Sequence, residues 1–403
     1  MELYKKHISD LGRIVTGKTP RTSNAQNYGG DIPFLTPSDD LSGKFAPKTV
    51  KTITELGLSE VRNCLLPSKS VCVSCIGSDL GKVVITNGPT VTNQQFNSII
   101  PTEENDTDFI YYLMTIVGKE LNFLSKTSTA VPIINKSTFA DYEIEIPSLE
   151  NQRRIAKVLS SLDDKIEANR RINDNLEQQA QALFKSWFVD FEPFRDQPFT
   201  ESELGMIPQD WRVASLSSVA DYINGLAMQK YRPAGNETGL PVLKIKELGQ
   251  GCCDDTSELC SPSLIGEKYV IDNGDIIFSW SGTLMVKIWC GGKCGLNQHL
   301  FVVTPYDMPK WFAYQWTKHH LDNFIQIAKD KAVTMGHIKR GELDKAKVLI
   351  PDKDNFAKIS SIMMPIHQQI ISHEIESRRI ASLRDTLLPR LMSGELKVCD
   401  VTI

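Results

Sequence analysis

Apolar residues in this chain fall into two kinds of pattern, and each kind occurs twice in the same order. The first kind is short and either alternating or continuous. SVCVSCIG ending at Gly77, KVVIT at residues 82–86, DIIFSWSG ending at Gly282 and HLFVV at residues 299–303 predict strands. Turn chemistry punctuates them at residues 27–30 (NYGG), at Asn87-Gly88-Pro89 and at Asn273-Gly274. Residues 109–124 and 311–327 have helical spacing, so each half of the chain predicts a mixed α/β domain.

The second kind of pattern is a long heptad stripe. Leu159, Leu162, Ile166, Asn169, Asn173, Leu176, Ala180, Leu183 and Trp187 alternate spacings of three and four without interruption. Gly and Pro are absent from residues 151–190, which allows one helix of about 35–40 residues, near 55 Å long. Asn169 and Asn173 sit on the seam, where a buried Asn fixes register and an exposed one faces water at a splayed section. In the second half Ile359, Ile362, Ile366, Ile380, Leu383, Leu387 and Leu391 carry a weaker stripe. Gln369, His373 and Glu376 occupy its middle, Pro365 is expected to kink the helix or mark its start, and Gly394 to stop it. Two such helices in one chain most simply pack on each other in antiparallel fashion. The alternative is that each packs on its own domain or on another subunit.

The two halves also match at a nearly constant offset. Ile32-Pro33 and Leu240-Pro241 open strand-like runs 208 residues apart, and SVCVSCIG and DIIFSWSG end 205 apart. Asn93-Gln94 is answered by Asn297-Gln298, and EIEIP ending at Pro147 by KVLIP ending at Pro351, both at 204. The same order at the same offset indicates duplication of a unit of about 200 residues. The fold class expected is therefore α/β (α+β): two tandem mixed α/β domains separated by two long, antiparallel, coiled-coil-like helices. The expected divisions are 1–150, a helix over 151–190, a linker over 191–206, 207–352, a second helix over 353–396 and a tail over 397–403.

Composition narrows the function. A length of 403 residues suits more than one domain. The first residues, MELYKKHISDLGRI, contain no apolar core of signal-peptide length, and no run reaches a membrane span, so a cytoplasmic location is expected. The formal net charge of −4 argues against a simple basic coat for DNA, but charge is unevenly spread. Residues 285–350 hold ten Lys/Arg against five Asp/Glu, and residues 190–260 hold six against twelve. Nine cysteines without a secretion signal imply reduced thiols. Cys72 and Cys75 lie in a strand-like run that sends them to opposite faces, and the other spacings lack a matching pair, so no metal site is expected.

Several motifs carry a resemblance. AQALFKSWFVDFEPF at residues 180–194 resembles the central conserved region of Type I restriction–modification specificity subunits, and LRDTLLPRLMSGEL at 383–396 resembles their C-terminal conserved region. GMIPQDW at 205–211 resembles the start of their second recognition domain; LGRIVTGKTP at 11–20 and the diverged residues 216–225 fit the family's domain openings. The resemblance implies two target recognition domains, each reading half of a bipartite double-stranded DNA sequence. It also implies a helical spacer that sets the gap and docks two modification (methyltransferase) subunits, with restriction (translocase–nuclease) subunits joining that core. S-adenosylmethionine, ATP and Mg are expected on those partners, with no cofactor in this chain and no membrane contact.

Catalytic motifs are missing from the residues as well. The chain has no Pro-Pro dipeptide, hence no Asn-Pro-Pro-Tyr/Phe methyltransferase motif, and no G-x-x-x-x-G-K-[ST] phosphate loop. Gly77-Ser78-Asp79-Leu80-Gly81 lacks the third glycine of a dinucleotide fingerprint, His299 has no matching nucleophile, and Pro351-Asp352-Lys353 is out of order for a nuclease. No catalytic residue is expected.

Base and phosphate contacts call for Arg, Lys, Asn, hydroxyls or an aromatic on loops. In the first half such loops are residues 74–82 and 127–137, with candidates Ser74, Ser78 and Lys82, then Thr127, Thr129, Asn135 and Lys136. In the second half they are residues 279–287, with Ser279, Trp280, Thr283 and Lys287, and 329–340, with Lys331, Thr334, His337, Lys339 and Arg340. Ala130-Val131 and Ala332-Val333 sit 202 apart, near the repeat offset. The Asn-Gln pairs read as structural. Trp187, Phe188 and Phe191 are candidates for docking a partner subunit, core packing being the alternative.

Overall fold

The computed structural model describes residues 1–125, 133–330 and 337–400. The chain forms two compact units, Met1–Lys165 with Ile380–Ile403, and Ile166–Arg379. Both divisions pass through long helices, Leu149–Phe188 and Lys353–Met392, because different segments of each helix pack into different cores. Ile155, Leu159, Leu162, Leu387 and Leu391 belong to the first unit's core, whereas Ala180, Phe184, Ile359 and Met363 belong to the second's.

In the first unit the central sheet is antiparallel, in the order Gly12–Thr16, Phe96–Pro101, Val71–Ser74, Val83–Ile85. Strand alternation explains its two-sided burial. Val71 and Val73 point to a core shared with helix Thr107–Ser125, and Cys72 points to a second core over a small sheet. That small sheet has the order Lys51–Ile53, Tyr28–Leu35, Val91–Thr92, the last pair parallel. Cys75 joins the helix-side core, so Cys72 and Cys75 are separated by the sheet. The predicted turn at residues 27–30 is instead an irregular strand opening. Tyr28 and Ile32 both face Ile53, with Gly29 at φ 85° taking up the extra length.

The second unit repeats this plan. Its central sheet runs Ala220–Asn224, Leu300–Pro305, Asp275–Ser279, Met285–Trp289. Ile276 and Phe278 face the helix-side core, and Ile277 faces the small sheet, where Leu240–Leu243 pairs in parallel with Cys294–Leu296. Peripheral pairs also correspond: Tyr4–His7 with Glu143–Ile146, and Arg212–Ser215 with Lys347–Ile350. Even a close backbone approach is duplicated. A Cβ on Gly17 would stand 2.2 Å from the Asn93 carbonyl oxygen, and one on Gly225 would stand 2.2 Å from that of Asn297. The helical stretch expected over 311–327 is two helices, Lys310–His319 and Leu321–Asp330, broken where the His320 ring Nε2 lies 2.8 Å from the Lys347 carbonyl.

All nine positions of the first heptad stripe are buried or half-buried, Asn169 and Asn173 included. In the second helix Ile359, Leu387 and Leu391 are buried and Ile366 and Ile380 half-buried as the stripe predicts, whereas Ile362 and Leu383 are exposed and Met363, Ile370, Leu388 and Met392 are buried beside it. Closely spaced apolar residues at 359, 362, 363, 364 and 366 made two faces equally plausible from spacing alone. Pro365 does not start the helix. Asp352 caps it earlier, its carboxylate accepting the N–H of Asp354 and Asn355, each at 3.0 Å. The two helices pair antiparallel within each unit. Asn169 meets Glu376 and Asn173 meets Glu374 in the second unit, and Arg384 donates to Asp163 at 2.6 Å in the first.

Candidate nucleic-acid interface

In each unit the central strand runs into a short turn, and a distant segment returns to pair with it. Ile76 bridges Ile133 and the Ile134 N–H donates to the Cys75 carbonyl at 2.8 Å in the first unit. Ser281 bridges His337 and the Ile338 N–H donates to the Trp280 carbonyl at 3.2 Å in the second. Residues 133–134 and 337–338, in the described part of the second candidate loop of each half, are thus joined by backbone hydrogen bonds to the first candidate loop, beyond the end of an interior strand of each central sheet.

The serines at the base of these turns do not face solvent. Ser74 is fully buried, with its hydroxyl donating to the Asp79 carbonyl and accepting the Lys82 N–H at 3.0 Å. Ser279 is fully buried and donates to the Thr283 carbonyl at 2.8 Å. Both close their turns; a buried hydroxyl satisfied by backbone has no access to a ligand. Exposed side chains project around them: Ser78, Lys82, Asn135 and Lys136 in the first unit, and Thr283, His337, Lys339 and Arg340 in the second. Asn135 caps the helix Lys136–Ala140 by accepting the Thr138 N–H at 2.9 Å. Arg340 is anchored on the Tyr222 carbonyl at 2.6 Å. Thr127, Thr129, Lys331 and Thr334 lie outside the described residues.

Trp280 is half-buried and centres the second unit's cluster. Its ring stacks on Phe301 at 5.6 Å between centroids and meets His337 edge-on at 6.2 Å, and its Nε1 donates to Asn224 Oδ1 at 3.0 Å. His299 joins it, hydrogen-bonded through Nδ1 to the Ser281 hydroxyl at 3.0 Å. Sequence reasoning did not single out Asn224; it read Gln298, with Asn297, as structural and His299 as a structural or DNA-facing histidine rather than a base. The signal was the repeat, since Gln298-His299 stands 204 residues after Gln94-Gln95, and Cys75 donates its N–H to the Gln95 carbonyl at 2.7 Å. The adjoining Asn93 and Asn297 are structural: each side-chain oxygen accepts the N–H two residues on, from Gln95 at 3.1 Å and His299 at 3.2 Å.

Lys287 belongs elsewhere. It lies on the edge strand Met285–Trp289, donates to the Gly249 carbonyl at 2.8 Å, and lines a cavity of about 390 Å³ beside Glu374 and Arg378. Burial lowers its pKa, opposed in part by the Glu374 carboxylate and reinforced by the Arg378 charge.

Trp187 and Phe188 are core residues of the second unit rather than a docking surface. Phe188 is 2% exposed, and its ring lies 5.0 Å from Phe184, 5.6 Å from Trp211 and Trp316, 6.1 Å from Phe312 and 6.4 Å from Trp311. The half-buried Phe191 packs edge-on against Phe199 and Trp211. One helix end could not cover so many rings; aromatics from residues 211 and 311–316 do.

A duplicated α/β unit with polar segments joined beyond the end of an interior strand, and with long helices that have segments in both copies, defines a two-copy recognition protein. The family model for the Type I restriction modification DNA specificity domain matches it twice, at residues 2–178 and 208–382, and the chain belongs to that family. The MjaIX Type I restriction enzyme specificity subunit of Methanocaldococcus jannaschii is 29% identical over 98% of this chain and 93% of its own. The HindI specificity subunit of Haemophilus influenzae is 38% identical over 42% of this chain and 38% of its own. The S subunit of a Type-I restriction-modification system from M. genitalium shares the fold, with a TM-score of 0.54 over 97% of this chain and 96% of that one at 16% identity. Among the described residues no helix is long and apolar enough to cross a membrane.

Proposed function

We propose that this chain is the DNA-reading subunit of a cytoplasmic Type I restriction–modification complex, each unit reading one half of a bipartite target. The long helices set the gap between half-sites and dock two modification subunits, and restriction subunits join that assembly. Methylation, ATP-driven movement and cleavage, with S-adenosylmethionine, ATP and Mg, reside on those partners. The observation that carries the reading is the joining of two polar segments beyond the end of the same interior strand in both copies of one fold, in a chain whose family model matches twice. Two rigid copies of one reader suit a split target, whose half-site spacing is a geometric consequence of how the readers are held. Phosphate contacts come from Lys82, Lys136, Lys339 and Arg340, and base contacts from Ser78, Asn135, Thr283, His337 and Trp280.

Co-expression with a modification subunit, followed by genome-wide mapping of methylated adenine, tests this. A single split sequence with a constant gap is expected. Methylation or cleavage by the pure chain, or no DNA complex at low salt with or without the modification subunit, would overturn it.

A further inference from the structure

Inside the second unit the seam between the long helices is apolar at one end and polar in the middle. Ala180, Ile359 and Met363 are buried in that unit's core, whereas Asn169 and Asn173, one turn apart on the first helix, bury two amides. Asn169 is fully buried, and its Nδ2 donates to the Glu376 carboxylate at 2.7 Å and the Ser377 hydroxyl at 3.2 Å; its Oδ1 has no partner. Asn173 Nδ2 donates to the Ile370 carbonyl at 3.1 Å, and its Oδ1 lies 3.0 Å from His373 Nδ1.

An apolar seam tolerates sliding, because one aliphatic knob fills the neighbouring hole almost as well as its own. A ladder of buried amides does not: a slip takes both Nδ2 groups from their acceptors at once and leaves them desolvated. Buried Asn at seam positions is a recognised means of fixing register at a cost in stability, and the unpartnered Asn169 Oδ1 is such a cost. A one-turn slip moves a helix by about 5.4 Å, the rise of one to two base pairs at about 3.4 Å each.

We propose that Asn169 and Asn173, with Glu376 and His373, lock the register of the helix pair and thereby restrict the gap length the protein accepts between half-sites. This rests on the function proposed above. Each long helix has segments in both compact units, and the proposal ties the register of the pair to half-site spacing through them. The four residues act by positioning and touch no DNA.

The test uses the full chain co-expressed with a modification subunit, and plasmids bearing the half-sites found for the parent protein at gaps from two base pairs shorter to two longer. The variant replaces both polar pairs: Asn169→Leu with Glu376→Leu, and Asn173→Leu with His373→Leu. Its melting temperature should equal or exceed the parent's, and its half-site bases should be unchanged. Methylation at shifted gaps should rise at least about tenfold relative to the native gap. Unchanged gap discrimination in the folded variant overturns the lock. If the leucine variant does not fold, Asn169→Ala with Asn173→Ala, which removes both buried Nδ2 donors, is read by the same gap ratio and decides in the same way. A parent protein that directs no bipartite methylation would instead overturn the underlying function, an outcome distinct from a strict gap in the variant.

Discussion

Replacing Phe188 with alanine tests whether the aromatic end of the first long helix is core. The ring is enclosed by five others at 5.0–6.4 Å, contributed by the helix itself and by residues 211 and 311–316. Removing a buried phenyl ring costs about 3–5 kcal/mol, and more where neighbours cannot collapse into the space. Rigid rings held by one another collapse poorly, so about 4 kcal/mol is expected for Phe188→Ala. In a unit of this size that lowers Tm by about 10 °C. All six tryptophans lie between residues 166 and 379, so fluorescence-detected urea unfolding reports this unit alone. A midpoint shift worth less than about 1 kcal/mol, together with loss of modification-subunit binding, would refute the core assignment.

His367 links the same unit to pH. It is 5% exposed, its Nε2 lies 3.1 Å from Gln315 Nε2, and burial pushes its pKa down to about 4. The unfolded chain therefore binds the proton more readily between about pH 6.5 and 4, so stability is full above 6.5 and falls by at most about 3 kcal/mol on acidification. His367→Asn should flatten urea midpoints measured across that window, and an unchanged slope would refute the assignment. Iodoacetamide labelling at pH 8 followed by peptide mapping should modify the exposed Cys399 first. Cys72 and Cys75, whose thiols burial pushes up to about 12 and 11, should be spared until the protein unfolds; early labelling of either would contradict the packing. Lys136→Ala and Lys339→Ala should each weaken DNA binding and reduce the slope of log affinity against log salt by about one, whatever the half-site sequence. An unchanged slope would remove that lysine from the interface.

Much of the architecture is written in local pattern. Strand alternation placed Cys72 and Cys75 on opposite faces, and the unbroken three-four spacing from Leu159 to Trp187 marked a long helix. The offset of about 204 residues implied two copies of one fold, because a duplicated sequence keeps the order of its turns and strands. Spacing failed where the answer depends on what arrives from elsewhere in the chain. It could not choose between Ile362 and Met363 on a helix rich in apolar residues. Loop composition pointed at residues 74–82 and 279–287 but could not separate Ser78 and Thr283 from Ser74 and Ser279, since the latter are buried by turns that close over them. Only the tertiary structure joined each pair of loops, enclosed Phe188 in rings from residues 211 and 311–316, and decided that Asn169 and Asn173 are buried rather than wet. Periodicity describes a segment's own surface; burial and hydrogen-bond partners belong to the segment that covers it.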